Sequence, residues 1–313
     1  MGKINTTQSF VESVVRQALL RCLPDSRATE SELSPLAREL FESPETLSLK
    51  EEIVRTGKKL WAREYVDGNG GNISCRLSSD YVLCTPTLCS KGDLTVENLC
   101  LVDLQNRKVI GETEPSSEIR LHLEIYKAAS GARAVIHCHP PHATAYAITG
   151  LVPPAEIVPE AEVFAGPIAL APYETPGTQA FAETILPYVK HHNTILLANH
   201  GIVCWADTVT HAEWLVEVAD TYCRTLMLAS SLGAPPQKIP PGKMADLLEI
   251  KQKLGLPDPR LPGAEEAGEL QEHAPTEPTK TKPQAAASTD SADFEALVAS
   301  VTEQVLRFLD ANK

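Results

Sequence analysis

Apolar residues repeat along this chain with two different periods, and the changes of period divide it. Phe10, Val11, Val14, Val15, Ala18, Leu19 and Cys22 fall on one stripe of a helix, with Thr6, Thr7 or Ser9 as caps and Pro24 beyond its end. Phe294, Leu297, Val298, Val301, Val305, Phe308 and Leu309 form a second helical stripe, capped by Asp290 or Ser291. The stripes share a pattern, since Ser13-Val14-x-x-Gln17-x-Leu19 matches Ser300-Val301-x-x-Gln304-x-Leu306. Residues 1–24 and 291–313 therefore read as amphipathic helices, resembling one docking signal used twice. The N-terminal one either docks or packs on its own domain.

Between them, residues 49–256 read as one compact domain, reached through a connector at 25–48. A helix is predicted over 51–65, with Ile53, Leu60 and Trp61 inward. Short β-branched or apolar runs at 72–76, 81–85, 99–103 and 108–110, separated by turn residues, predict antiparallel strands. A helix follows at 117–129, with Ile119, His122, Leu123 and Tyr126 on one face. Strands follow at 134–139 and 194–198, and a long helix at 210–232. The fold class is α/β, a mostly antiparallel sheet covered by helices. Residues 257–290 carry six prolines, an Ala-Ala-Ala run and no aromatic residue, and read as an extended, disordered linker.

Charge and cysteine usage narrow the function classes. The 313 residues hold 28 Lys+Arg against 41 Asp+Glu, a net charge of −13, which argues against nucleic acid and anionic lipid as partners. The 8 cysteines include no C-x-x-C pair, and Cys75, Cys84, Cys100, Cys138 and Cys204 sit in or beside apolar runs, as buried thiols do in a reducing compartment. No apolar run reaches the roughly 18–20 residues of a membrane span, and no secretory signal opens the chain. The expected location is cytoplasmic.

Three motifs carry candidate chemistry. In Ala134-Val135-Ile136-His137-Cys138-His139-Pro140-Pro141-His142, the two-residue strand period puts His137 and His139 on one face, and the prolines place the pair at an exposed strand end. A second apolar strand ends in Asn199-His200-Gly201. Three imidazoles at strand ends suit an open catalytic Zn²⁺ site. His142 is left as an outer-layer or surface residue, and His191 and His192 read as solvated. The second motif, Glu114-Pro115-Ser116-Ser117-Glu118, opens a helix with Ser116 as N-cap and Glu118 in the first turn, where free N–H groups attract an anion. Alone, it reads equally well as a capped helix with a dipole-complementing glutamate. The third, Gly68-Asn69-Gly70-Gly71-Asn72-Ile73-Ser74, is a glycine-rich turn whose N–H groups can cradle phosphate.

Taken in order, Gly71-Asn72-x-Ser74, Thr85-Pro86-Thr87, Pro115-Ser116-Ser117-Glu118, His137-x-His139 and Asn199-His200-Gly201 resemble the class II aldolase/adducin family. The resemblance spans roughly residues 50–256 and is strongest to its sugar-phosphate aldolases of the L-fuculose-1-phosphate and L-rhamnulose-1-phosphate type. It implies an α/β/α sandwich, a homotetramer, and zinc held by His137, His139 and His200. It also implies Gly71, Asn72, Thr87, Ser116 and Ser117 around a substrate phosphate, and Glu118 as acid/base. The implied reaction cleaves a 6-deoxyketose 1-phosphate to dihydroxyacetone phosphate and lactaldehyde. Leu88 stands where the family often has Gly, and Val158 and Leu254 stand where its aldehyde-side tyrosines align. The tethered helix at 291–313 resembles the peptides that send enzymes into bacterial microcompartments, which implies shell proteins as partners. Decarboxylation of a 3-oxo sugar-acid phosphate, favoured by an extra cation near the metal, and a non-catalytic adducin-like module are the alternatives.

Overall fold

The computed structural model describes residues 35–261; both terminal stripes, and residues 262–290 of the expected linker, lie outside the described residues. Helix α1 spans Pro35–Glu42 and α2 spans Pro44–Ala62. Ser43 starts α2, its hydroxyl accepting from Thr46 N at 3.1 Å while Pro44 takes the first helical position, where a missing N–H costs nothing. Helical structure thus enters the stretch that the sequence read as a connector.

Eight strands follow: β1 (Asn72–Arg76), β2 (Tyr81–Cys84), β3 (Cys100–Asp103), β4 (Lys108–Ile110), β5 (Ala134–Cys138), β6 (Ala169–Ala171), β7 (Thr194–Leu197) and β8 (Gly201–Ala206). They form one sheet in the order β4-β3-β2-β1-β5-β8-β7-β6, antiparallel except for the β6–β7 pair. The helices between and after them are α3 (Ile119–Ala128), α4 (Pro141–Thr149), α5 (Gln179–Glu183), α6 (Val209–Ser230) and α7 (Pro241–Lys253). On one face, Ala134, Ile136 and Cys138 of β5 pack in a core with α2, α4 and α6. On the other, Val135 packs in a core with α3 and α5. The expected three-layer α/β/α arrangement is present. Burial on both faces explains why the inner strands read as continuous apolar runs.

Several details differ from the sequence reading. Trp61 is not inward: it is 44% exposed and lies over Gly92, where an added Cβ would come within 2.9 Å of its ring. Strands β6 and β8, helices α4, α5 and α7, and a π-helical turn at Ala161–Ala165 were not anticipated. The chain stays packed beyond Pro257, because Arg260 Nε donates to Asp258 Oδ1 at 2.8 Å and Lys251 Nζ lies 3.2 Å from Asp258 Oδ2. Paired in this way, Asp258, which looks like linker in sequence, is buried. The five cysteines expected inside are buried, and all seven among the described residues are free. Among the described residues, no helix is long and apolar enough to cross a membrane.

Candidate active site

Strand pairing brings the motifs together. Asn72 of β1 lies directly across from His137 of β5. Loop 85–87 is held to loop 114–118 by Thr87 N donating to Glu114 O at 2.9 Å and Ser116 N donating to Thr85 O at 3.1 Å. The β7–β8 turn delivers His200. Gly201 is required there, since a Cβ would sit 2.5 Å from Cys138 O and 2.7 Å from the His139 ring. At Gly71, φ is +68° and a Cβ would meet Val66 at 2.5 Å, so only glycine lets this turn close on β5.

His137, His139 and His200 each offer a ring nitrogen, all within 4.8 Å of one another. His137 Nε2 and His139 Nε2 are 3.2 Å apart, close to the ~3.3 Å that separates two nitrogens on a tetrahedral zinc. His137 Nδ1 donates to Ile202 O at 2.9 Å, which leaves its Nε2 lone pair free. Burial pushes all three imidazoles below the usual range, keeping them neutral and able to ligate. The donor set fits a divalent metal.

Two expectations about histidines are corrected, the exposed strand end and the solvated His192. His137 is 0% exposed, and Pro140 and Pro141 cap and open α4 rather than ending the strand in solvent. His142 anchors that helix start: its Nδ1 donates to Asp220 Oδ2 at 2.9 Å, and its backbone N–H donates to Asp220 Oδ1 at 2.8 Å. His192 is buried, not solvated, with Nδ1 donating to Pro167 O at 2.8 Å.

Glu118 lies between the histidines. Its Oε2 is 3.4 Å from His137 Nε2, its Oε1 is 3.4 Å from His200 Nε2, and Asn72 Nδ2 donates to Oε2 at 3.0 Å. Burial raises its carboxyl above the usual range, while His200, the Asn72 hydrogen bond and Lys91 pull it back. Glu118 itself occupies the cap position of α3, whereas Ser116 makes the turn before it, accepting from Glu118 N at 3.3 Å. A cavity of about 160 Å³ opens beside it, walled by the Gly70-Gly71-Asn72 turn, Thr87, Ser116, Ser117, Glu118, His139 and His200. Of the nine residues expected to hold metal or substrate or to act as acid/base, only His137 is outside this wall. Val158 and Leu254 are also absent from it.

Two groups near the site were missed. Lys91 is 1% exposed, its Nζ donating to Cys89 O at 2.8 Å and Asn69 O at 3.3 Å, which ties the glycine-rich turn to the loop after Thr87. A lysine among polar neighbours gives no sequence sign of burial. The second group is Ser74, whose hydroxyl lies 2.7 Å from His122 Nδ1 and 2.8 Å from Tyr126 OH. The helical stripe did place His122 and Tyr126 inward.

Burial pushes His122 down to about 3. The unfolded imidazole titrates near ~6.5, so below that value the unfolded chain binds the extra proton. Stability from this group is full above the unfolded value and falls toward pH 3, by up to ~1.4 kcal/mol per pH unit. His122→Gln is expected to flatten that part of the acid slope in urea titrations, and an unchanged slope would contradict the assignment.

Leu88, beside Thr87, has φ +52° and is 81% exposed. The family's glycine would sit there without strain. Leu88→Gly is expected to stabilise the chain by about 1 kcal/mol, roughly 2–4 °C in Tm, measured by calorimetry.

Residues 51–227 match the family described as the Class II Aldolase and Adducin N-terminal domain, and the chain belongs to that family. A 5-deoxy-D-ribulose 1-phosphate aldolase of Bacillus thuringiensis serovar kurstaki is 32% identical over 200 residues, covering 63% of this chain and 92% of that protein. A 3-oxo-tetronate 4-phosphate decarboxylase of Haemophilus influenzae is 33% identical over 184 residues, covering 56% of this chain and 87% of that protein. The solved structure of an L-fuculose 1-phosphate aldolase superposes with a TM-score of 0.61 at 28% identity, covering 67% of this chain and 97% of that one. Family and relatives make the chain a lyase.

Proposed function

We propose that the chain is a zinc-dependent aldolase that cleaves a deoxyketose 1-phosphate, L-fuculose or L-rhamnulose 1-phosphate or the five-carbon 5-deoxy sugar, between C3 and C4. The products are dihydroxyacetone phosphate and a short aldehyde. The observation that carries this reading is the Glu118 carboxylate set between His137 and His200 at the edge of a small polar cavity. Zinc held by His137, His139 and His200 would polarise the ketose carbonyl and offset the negative charge that grows during cleavage. The Gly71 turn, Thr87, Ser116 and Ser117 supply neutral donors for phosphate, so an anionic substrate is compatible with a chain of charge −13. As the C4 hydroxyl gives up its proton and the C3–C4 bond breaks, C4 leaves as the aldehyde carbon and the bonding pair stays with the three-carbon enediolate; Glu118 takes up that proton, directly or through solvent, and returns it to C3.

A second reading, decarboxylation of a 3-oxo sugar-acid phosphate, is favoured by Lys91, a buried cation whose charge is felt at both Glu118 and His139. Loss of CO₂ from such a substrate leaves the same three-carbon phosphate. The two readings separate by co-product. The full chain is expected to release aldehyde from at least one of the ketose 1-phosphates; CO₂ from 3-oxo-tetronate 4-phosphate without any aldehyde would select the second.

The working state is a homotetramer, a reading supported by exposed Ile148, Leu151, Val152 and Leu232 and checked by light scattering. The helical stripe at 291–313 would dock the enzyme on microcompartment shell proteins, and the stripe at 1–24 either joins it or packs on its own domain. Deleting 291–313 is expected to leave activity intact and to abolish co-purification with shell proteins; unchanged co-purification would contradict the docking role.

A further inference from the structure

Lys91 is 1% exposed and lies outside the cavity wall, yet its hydrogen bonds run to the loops that build that wall. Its Nζ donates at 3.3 Å to the carbonyl of Asn69, a wall residue in the glycine-rich turn, and at 2.8 Å to the carbonyl of Cys89 in the loop after Thr87. Loop 89–92 is wedged against α2: a Cβ at Gly57 would lie 3.1 Å from Lys91 O, and the Trp61 ring lies over Gly92. The ammonium is therefore fixed in place. What it lacks is a counter-charge. Lys251, as deeply buried, lies 3.2 Å from Asp258 Oδ2, whereas Lys91 meets only carbonyl oxygens among the described residues. Glu118 is felt at a distance, but its own oxygens go to Asn72, His137 and His200. The cavity wall holds no lysine or arginine of its own. Buried charges are ordinarily paired, so an unpaired ammonium behind a polar cavity marks a place for an anion.

We propose that Lys91 is a positioning residue of the phosphate subsite and its fixed positive charge. It sets the affinity for a phosphoryl dianion without touching it, by tying the glycine-rich turn to the loop after Thr87 and holding both under a positive potential. The inference rests on the reading of the cavity as a sugar-phosphate site and deepens it. Because the ammonium is dry, solvent and salt screen its field far less than they screen a surface lysine's. Phosphate takes no part in bond cleavage, so this charge acts alike on bound substrate and transition state, and its weight falls on binding. A cation working at the metal, as the decarboxylase reading has it, would act on turnover instead.

The test uses the full, zinc-loaded chain, with inorganic phosphate as the probe in calorimetric titrations. Thr87→Ala, in the cavity wall, is expected to weaken phosphate by ~tenfold, which places the probe in this cavity. Lys91→Met is expected to weaken it by ~tenfold or more, with zinc still at about one equivalent per chain. Its KM for the best ketose 1-phosphate is expected to rise by a similar factor while kcat stays within about threefold of wild type, a split that general loosening of the fold does not produce. Lys91→Gln keeps an N–H donor for the carbonyl oxygens but no charge. It is expected to bind phosphate as weakly as Lys91→Met, and it carries the comparison should Lys91→Met not fold. Phosphate affinity within about twofold of wild type in either Lys91 variant overturns the assignment, as does a fall in kcat at unchanged KM. Wild-type affinity in Thr87→Ala moves the probe out of the cavity and overturns it too. If the wild-type chain turns over none of the sugar phosphates, the proposed function fails on its own. The phosphate titrations still decide this inference: ~tenfold weaker binding in the Lys91 variants retains it, and equal affinity overturns it.

Discussion

Glu118→Gln is expected to lower kcat by about 10²–10⁴-fold while leaving the fold and phosphate binding unchanged. The substitution keeps the shape of a side chain that touches both His137 and His200, and it removes the only carboxylate among the cavity-lining residues. The amide can neither take nor return a proton, so loss should fall on turnover rather than KM. Steady-state kinetics with the best ketose 1-phosphate checks this. A variant retaining more than about a tenth of wild-type kcat would remove Glu118 from the proton transfer.

The second large effect concerns the histidines. His139→Ala and His200→Ala are each expected to lower bound zinc from about one equivalent per chain toward none, and to lose activity with it. These positions are half-buried, so neither change empties the core. His137→Ala should do the same at a further cost in stability, because its ring is buried and bonded to Ile202 O. Elemental analysis of the purified variants reads the outcome. Unchanged zinc content in all three would place the metal elsewhere.

Much of this site was legible because its residues follow strand arithmetic. The i, i+2 spacing of His137 and His139 needs only the pleat, and the strand boundaries at Asn72–Arg76 and Lys108–Ile110 were readable from β-branched runs between turn residues. The Ser116-Ser117-Glu118 turn and the Gly71 turn carry local signals of their own. What the sequence hid depends on tertiary context. Pro140-Pro141 looks like a strand stop, yet a proline at the first helical position is equally at home, and only packing against Asp220 decides for α4. Asp258 and Arg260 look solvated until Lys251 and Glu162 are brought beside them. Lys91 gives no sign at all, because its partners are backbone carbonyls supplied by two loops. The phosphate assignment of Asn72 came from family resemblance; its contact with Glu118 is a three-dimensional fact.

The measurement that tests the central claim most directly is dihydroxyacetone phosphate release by the full chain from L-fuculose, L-rhamnulose and 5-deoxy-D-ribulose 1-phosphates. Each is assayed as purified, after chelation, and after zinc is restored. Release that is lost on chelation and regained with zinc is the expected result. Release that persists in metal-free protein would contradict a reaction built on His137, His139 and His200.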